Sequence, residues 1–226
     1  MRIRTLFLAS ILVLACAHRP ASAAGAPPIN TVDSAIAPDS VARRLLVDVH
    51  ALDSNFISDA RYSTANNFTG ALLPGYGSNT AMLRREAAAA LVRVEKRLAP
   101  EGLTLRIFDG YWPVRATLAM VAWTERSHRE DLLRDEYFAS RSRHNLGLAI
   151  DLTLADRATG QPLEMDTPFD ALSADAHTAN ATGIPATNRA RLNTAMSAEG
   201  FTNYDQEWWH FTLQLPDELC FDLPIT

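Results

Sequence analysis

Apolar positions recur at helical spacing near the middle of the chain. Leu83, Ala87, Leu91, Val94 and Leu98 share one face, and Arg84, Arg85, Arg93 and Arg97 lie around it. This amphipathic pattern predicts a helix over about 80–98. Asn79-Thr80 are placed to cap its start, and Pro100 and Gly102 to end it. The period then changes to two. Leu103, Leu105 and Ile107 alternate with Thr104, Arg106 and Phe108, which predicts a strand closed by Asp109-Gly110-Tyr111. Pro113 suits the first turn of a second helix over about 114–126. Alternation returns at Leu148, Ile150, Leu152 and Leu154, so Asp151 lies on the face opposite the leucines. Asn188 to Glu199 reads as a helix stopped by Gly200. Trp209, Phe211 and Leu213 alternate with Trp208, His210 and Thr212 in a last strand. Helices and strands mix without a βαβ rhythm. The expected fold is therefore α+β: a single domain over 41–226 whose central, mainly antiparallel sheet is flanked by helices.

The start of the chain has a different pattern. Arg2 and Arg4 precede an apolar run, Leu6 to Ala15. That run is shorter than the roughly 20 residues a bilayer span needs. Ala21-Ser22-Ala23 then has the form of a cleavage site, so residues 1–23 read as an export signal. Val13-Leu14-Ala15-Cys16 offers a competing reading, a lipoprotein signal with lipid on Cys16. Either predicts an exported, periplasmic protein that is soluble or lipid-anchored, with membrane contact only through that lipid. Residues 24–40, rich in Ala, Pro and Ser, read as a flexible tether.

Composition narrows the function. The chain has 226 residues, 47% hydrophobic and 21% charged, the proportions of a globular protein. Its net charge is −5, and without the leader's Arg2, Arg4 and Arg19 it becomes −8. Such a body argues against nucleic acid as a partner, because phosphate binding is driven by cations. Cys16 and Cys220 suggest no disulfide framework, and Cys220 reads as a small buried apolar residue. His50, His128 and His177 have no partner motif and read as surface or structural residues.

Two short segments carry candidate chemistry: Ser142-Arg143-His144 through Asp151, and Glu207-Trp208-Trp209-His210. Asp151 sits in an apolar strand, where an uncompensated carboxylate would be costly, so an arginine or a metal must answer it. Alone, His210 fits a neutral, hydrogen-bonded core residue. Together, two histidines and one carboxylate make a catalytic zinc set with a fourth position left for water. Glu207 precedes His210 by three, which on a regular strand puts them on opposite faces. If the turn Asn203–Gln206 carries Glu207 into the strand, its carboxylate can instead reach the water as a general base. Judged alone, it reads as a solvated strand end.

These segments resemble the D-alanyl-D-alanine dipeptidase family, zinc metallopeptidases that include the dipeptide-cleaving enzyme of vancomycin resistance. Arg61-Tyr62, Asn67-Phe68-Thr69-Gly70, Asp109-Gly110-Tyr111, Ala149 to Leu154 and Phe169-Asp170 agree as well, so the match runs from about 48 to 224. The resemblance implies one zinc ion on His144, Asp151 and His210, with Glu207 as catalytic base. It also implies Asp170 for the substrate ammonium and Tyr62 in the pocket wall. The implied activity is hydrolysis of D-Ala-D-Ala to D-alanine in cell-wall peptide turnover. One departure stands out. The family's Asp-Gly-Tyr-Arg-Pro appears here as Asp109-Gly110-Tyr111-Trp112-Pro113, so the arginine that stabilises the transition state is a tryptophan. Arg115 and Arg143 are the candidates to supply that charge. Two alternatives follow: a carboxypeptidase or endopeptidase of peptidoglycan stem peptides, or a weakly active or non-catalytic peptide binder.

Overall fold

The computed structural model describes residues 35–138 and 140–226. The leader and most of the tether lie outside them. The described chain begins earlier than the expected domain boundary. Ile36 pairs with Cys220, and helix α1 (Asp39–Leu45) starts inside the stretch read as tether.

Five strands form the main sheet: β2 (Ile57–Ser58), β4 (Leu103–Asp109), β5 (Ala149–Asp156), β6 (Phe201–Tyr204) and β7 (Glu207–Leu213), in the order β2-β4-β5-β7-β6. Only the short β2 runs parallel to its neighbour; the other pairings are antiparallel. A separate ribbon joins β1 (Leu46–Asp48) to β3 (Met82–Arg84). The mixed fold and mainly antiparallel sheet match the expectation from the sequence. Helices α2 (Arg85–Leu98) and α5 (Gly183–Ser197) pack on each other and on β4, β5 and β6. Leu91, Leu105, Ile107, Leu152, Leu154 and Trp209 are fully buried in the continuous core. Each such side chain contributes about 1.5–3 kcal/mol by leaving water.

The expected helix over 80–98 begins five residues late. Met82–Arg84 pair instead with Leu46–Asp48, and backbone hydrogen bonds to another strand preclude the first helical turn. Asn79 does not cap α2. It accepts from the Ala60 N–H at 2.7 Å and donates to the Ser58 carbonyl. Helix α3 (Val114–Arg126) lies where Pro113 predicts it. Helix α5 starts at Gly183 rather than Asn188, and a short α4 (Asp131–Arg134) follows α3. The expected turn Asn203–Gln206 is tighter: Asn203 and Tyr204 belong to β6, leaving Asp205-Gln206 as the turn. Cys220 is buried and free. No helix among the described residues is long and apolar enough to cross a membrane.

Sheet register sets up the site. Asp109, Asp151 and His210 stand abreast on β4, β5 and β7, since Asp151 pairs with both of the others. Both faces of β5 are buried up to Ala155, so Asp151 projects into protein rather than into bulk water.

Candidate active site

His144 comes from the 3-10 turn Arg143–Leu146 just before β5, and a capping box fixes that turn. The Ser142 hydroxyl accepts from the His144 N–H at 3.2 Å, and the Asn145 amide oxygen accepts from the Ser142 N–H at 2.9 Å. Asn145 also donates to the Trp112 carbonyl and to the Thr117 hydroxyl. Gly147 closes the turn at φ +64°, where an added Cβ would stand 2.6 Å from Leu46. The serine two residues before His144 is thus a cap.

The His144 ring is oriented from behind. Its Nδ1 donates to the Gly110 carbonyl, which leaves the Nε2 lone pair facing Asp151 and His210. Gly110 is itself required, because a Cβ there would lie 2.6 Å from the Met82 carbonyl oxygen. His144 Nε2 is 3.3 Å from Asp151 Oδ2 and 3.1 Å from His210 Nδ1, and His210 Nδ1 is 3.0 Å from Asp151 Oδ1. One donor atom from each of the three residues lies within 4.8 Å of the others, which is close enough to share one metal ion. Both imidazoles aim at the same carboxylate, and among the described residues no arginine or lysine pairs with it. Two imidazole nitrogens and one carboxylate oxygen are a donor set suited to zinc.

Electrostatics agree with this convergence. Burial by itself would raise Asp151, yet the His144 and His210 imidazoles outweigh it and hold the carboxyl at about 2. Burial lowers His210, which favours the neutral ring that a ligand must be. Glu207 is also buried, with its Oε2 3.8 Å from His210 Nδ1. Burial, and then the Asp151 and Asp170 carboxylates, push its pKa well above the usual carboxylate range.

A cavity of about 170 Å³ opens over this cluster. Tyr62, Trp112, Arg143, Asp170 and Glu207 line it together with the three donor residues. Trp112 lies flat on His144, with ring centroids 3.9 Å apart and planes 3° from parallel. Tyr62 meets the indole edge-on at 5.4 Å, and its hydroxyl donates to Asp170 Oδ1 at 3.0 Å. Asp170 Oδ2 and Trp112 Nε1 are buried and have no hydrogen-bond partner among the described residues. Asp170 adopts φ +62°, a strained backbone for a non-glycine residue.

The two arginine candidates part company. Arg115 is half exposed, forms a two-pronged pair with Asp222 and does not line the cavity. Arg143 does line it, and pairs with Glu218 at 3.1 Å. His50 and His128 are exposed, while His177 is half-buried beside the Tyr137 hydroxyl. Sequence reasoning missed the lining residues Glu136, Tyr137 and Tyr204, and also Asn203. No spacing singles out the first three. Asn203 looked like an ordinary turn residue.

Burial pushes Asp170 up to about 8, against about 3.9 for an unfolded aspartate. The Tyr62 hydroxyl pulls it down and Asp151 raises it further, while the Phe68 N–H and Arg61 also pull it down. Its contribution to stability is complete below the unfolded value and is lost as pH rises through about 8. Denaturant melts from pH 5 to 8.5 should show the wild type losing stability relative to Asp170→Asn by up to about 1.4 kcal/mol per pH unit. Parallel profiles would contradict the burial of an ionising Asp170.

Three convergent donors with a carboxylate beside them, at the floor of a cavity in an α+β scaffold, define a metal-dependent hydrolase. The family model described as D-Ala-D-Ala dipeptidase matches residues 43–224, and the chain belongs to that family of metallopeptidases. The D-alanyl-D-alanine dipeptidase of Enterococcus faecium is 36% identical over 186 residues, covering 74% of this chain and 91% of its own. Its counterpart in Streptomyces coelicolor is 36% identical over 196 residues, covering 78% and 96%. The Escherichia coli enzyme is 32% identical over 181 residues, covering 79% and 88%. Among solved structures, a vancomycin-resistance D,D-dipeptidase in complex with a D-Ala-D-Ala phosphinate analogue is 22% identical, with TM-score 0.39 over 59% of this chain and 51% of that one.

Proposed function

We propose that this protein hydrolyses the dipeptide D-alanyl-D-alanine to D-alanine in a zinc-dependent reaction that serves turnover of cell-wall peptides. The observation that carries this reading is the position of Glu207, 3.8 Å from the His210 nitrogen that faces Asp151 and His144. The dipeptidase names of relatives that align along most of their length support the substrate. Export through the leader would bring the enzyme to the wall.

His144 Nε2, Asp151 and His210 Nδ1 would hold the zinc. When bound, zinc lowers the pKa of a water to about 7 and polarises a carbonyl oxygen. Glu207 takes the proton from the attacking water and returns it to the departing amine, as a general base and then acid. The free ammonium of the substrate draws Asp170 back to its carboxylate form and pairs with it. Its Oδ2 makes no hydrogen bond among the described residues, and Tyr62 fixes Oδ1. Trp112 separates the two subsites, with His144 on one side and Tyr62 on the other. Arg143 is the guanidinium on the cavity wall that can offset negative charge developing on the substrate.

The test compares zinc-loaded protein on free D-Ala-D-Ala and on its N-acetylated form. Blocking the amine removes a charge-assisted hydrogen bond, so kcat/KM should fall about 10–100-fold. Equal cleavage of both would favour a stem-peptide carboxypeptidase or endopeptidase. No alanine release above a metal-stripped control would overturn the reading.

A further inference from the structure

The hairpin β6–β7 contains an irregularity that brings Glu207 and His210 together. Asn203 pairs with Phe211, but the next residue, Tyr204, pairs with Glu207. One step along β6 therefore spans four positions on β7, and Trp208, Trp209 and His210 have no partner on β6. On a regular strand a three-residue separation would set Glu207 and His210 on opposite faces. Here the two side chains approach to 3.8 Å.

Such a bulge interrupts the backbone ladder and leaves carbonyls to be satisfied by other donors. The Asn203 side chain supplies them. Its Nδ2 donates to the Glu207 carbonyl at 3.1 Å and to the His210 carbonyl at 3.0 Å. These are the residues at the two ends of the Glu207–His210 segment. The two carbonyls fix the amide's orientation, because a flipped amide would set Oδ1 against both carbonyl oxygens; Oδ1 instead accepts from the Thr178 hydroxyl at 2.6 Å. Both N–H donors are thus committed to the two residues whose relative position the chemistry needs.

We infer that Asn203 is a positioning residue: its side-chain amide, anchored by Thr178, clamps the bulge and sets the offset between the Glu207 carboxylate and the His210 imidazole. Alanine at this position removes both donors. Aspartate would set an acceptor against two carbonyl oxygens. Glutamine would place the amide one methylene too far out. The clamp does not touch the reacting atoms, so it acts on the spacing of base and ligand and not on the ammonium subsite at Asp170. The inference rests on the metal-site reading above.

Asn203→Ala and Thr178→Val, both zinc-loaded, test it by two readouts. One is zinc affinity by chelator competition; the other is kcat and KM on D-Ala-D-Ala, normalised to folded protein. Loss of an orienting group costs about 10–100-fold in metal affinity or activity. Asn203→Ala should lose that much in kcat, with KM within about threefold and zinc affinity lowered about tenfold. Thr178→Val, which removes the hydrogen bond anchoring Oδ1 and leaves the amide in place, should fall in the same direction by a smaller factor. Zinc affinity and kcat both within twofold of wild type in Asn203→Ala would overturn the clamp. So would variants that melt earlier yet keep full kcat per folded molecule, because that outcome describes a merely structural asparagine. If wild-type protein fails to cleave D-Ala-D-Ala, the substrate reading falls, while the zinc-affinity arm still decides the clamp.

Discussion

Replacing Glu207 by glutamine should lower kcat for D-Ala-D-Ala by about 10²–10⁴-fold, the usual contribution of a positioned general acid–base group. Glutamine keeps the size and a hydrogen-bonding oxygen but cannot accept and return a proton. Glu207 stands outside the set of three donors, so zinc content should remain that of wild type. Its backbone carbonyl still accepts from Asn203, so the bulge is preserved. The comparison of kcat and bound zinc in one preparation separates loss of the base from loss of the metal. Retention of more than about a tenth of wild-type kcat would move the base to another residue.

Removing a donor should act differently. His144→Ala takes out one of three ligand atoms and leaves Asp151 buried with a single imidazole. Zinc affinity should fall by more than the roughly 100-fold ceiling for orienting groups, and turnover should fall with it. Stability gives an independent readout. A ligand at about a thousand times its dissociation constant stabilises the native state by about 4 kcal/mol. Wild-type protein should therefore melt markedly higher with zinc than with a chelator, and His144→Ala should show almost no difference. An undiminished zinc response in the variant would place the metal elsewhere.

Much of this site was legible because its chemistry conflicts with its surroundings. Asp151 in an apolar strand demanded compensation, and the two imidazoles that provide it are the histidines the motifs pointed to. The strands around it were readable for the same reason, since β4, β5 and β7 carry regular alternation. What stayed hidden depends on non-local pairing. Met82–Arg84 has helix-compatible residues but pairs as a strand with Leu46–Asp48. The strands β1 and β2, of three and two residues, are too short to show a period. Arg115 looked like a candidate for the charge missing at Trp112, yet Asp222, more than a hundred residues away, holds it outside the cavity. Asn203 gave no signal because its role depends on a bulge that only the register between β6 and β7 reveals. The spacing of Glu207 and His210 raised that question without answering it.

The most direct measurement is the zinc content of the purified wild-type chain together with the zinc K-edge absorption of the same sample. One ion per chain is expected, with two imidazole nitrogens at about 2.0–2.1 Å and a carboxylate oxygen at about 2.0–2.2 Å. Substoichiometric zinc, or a coordination shell with fewer than two imidazoles, would contradict a centre built from His144, Asp151 and His210.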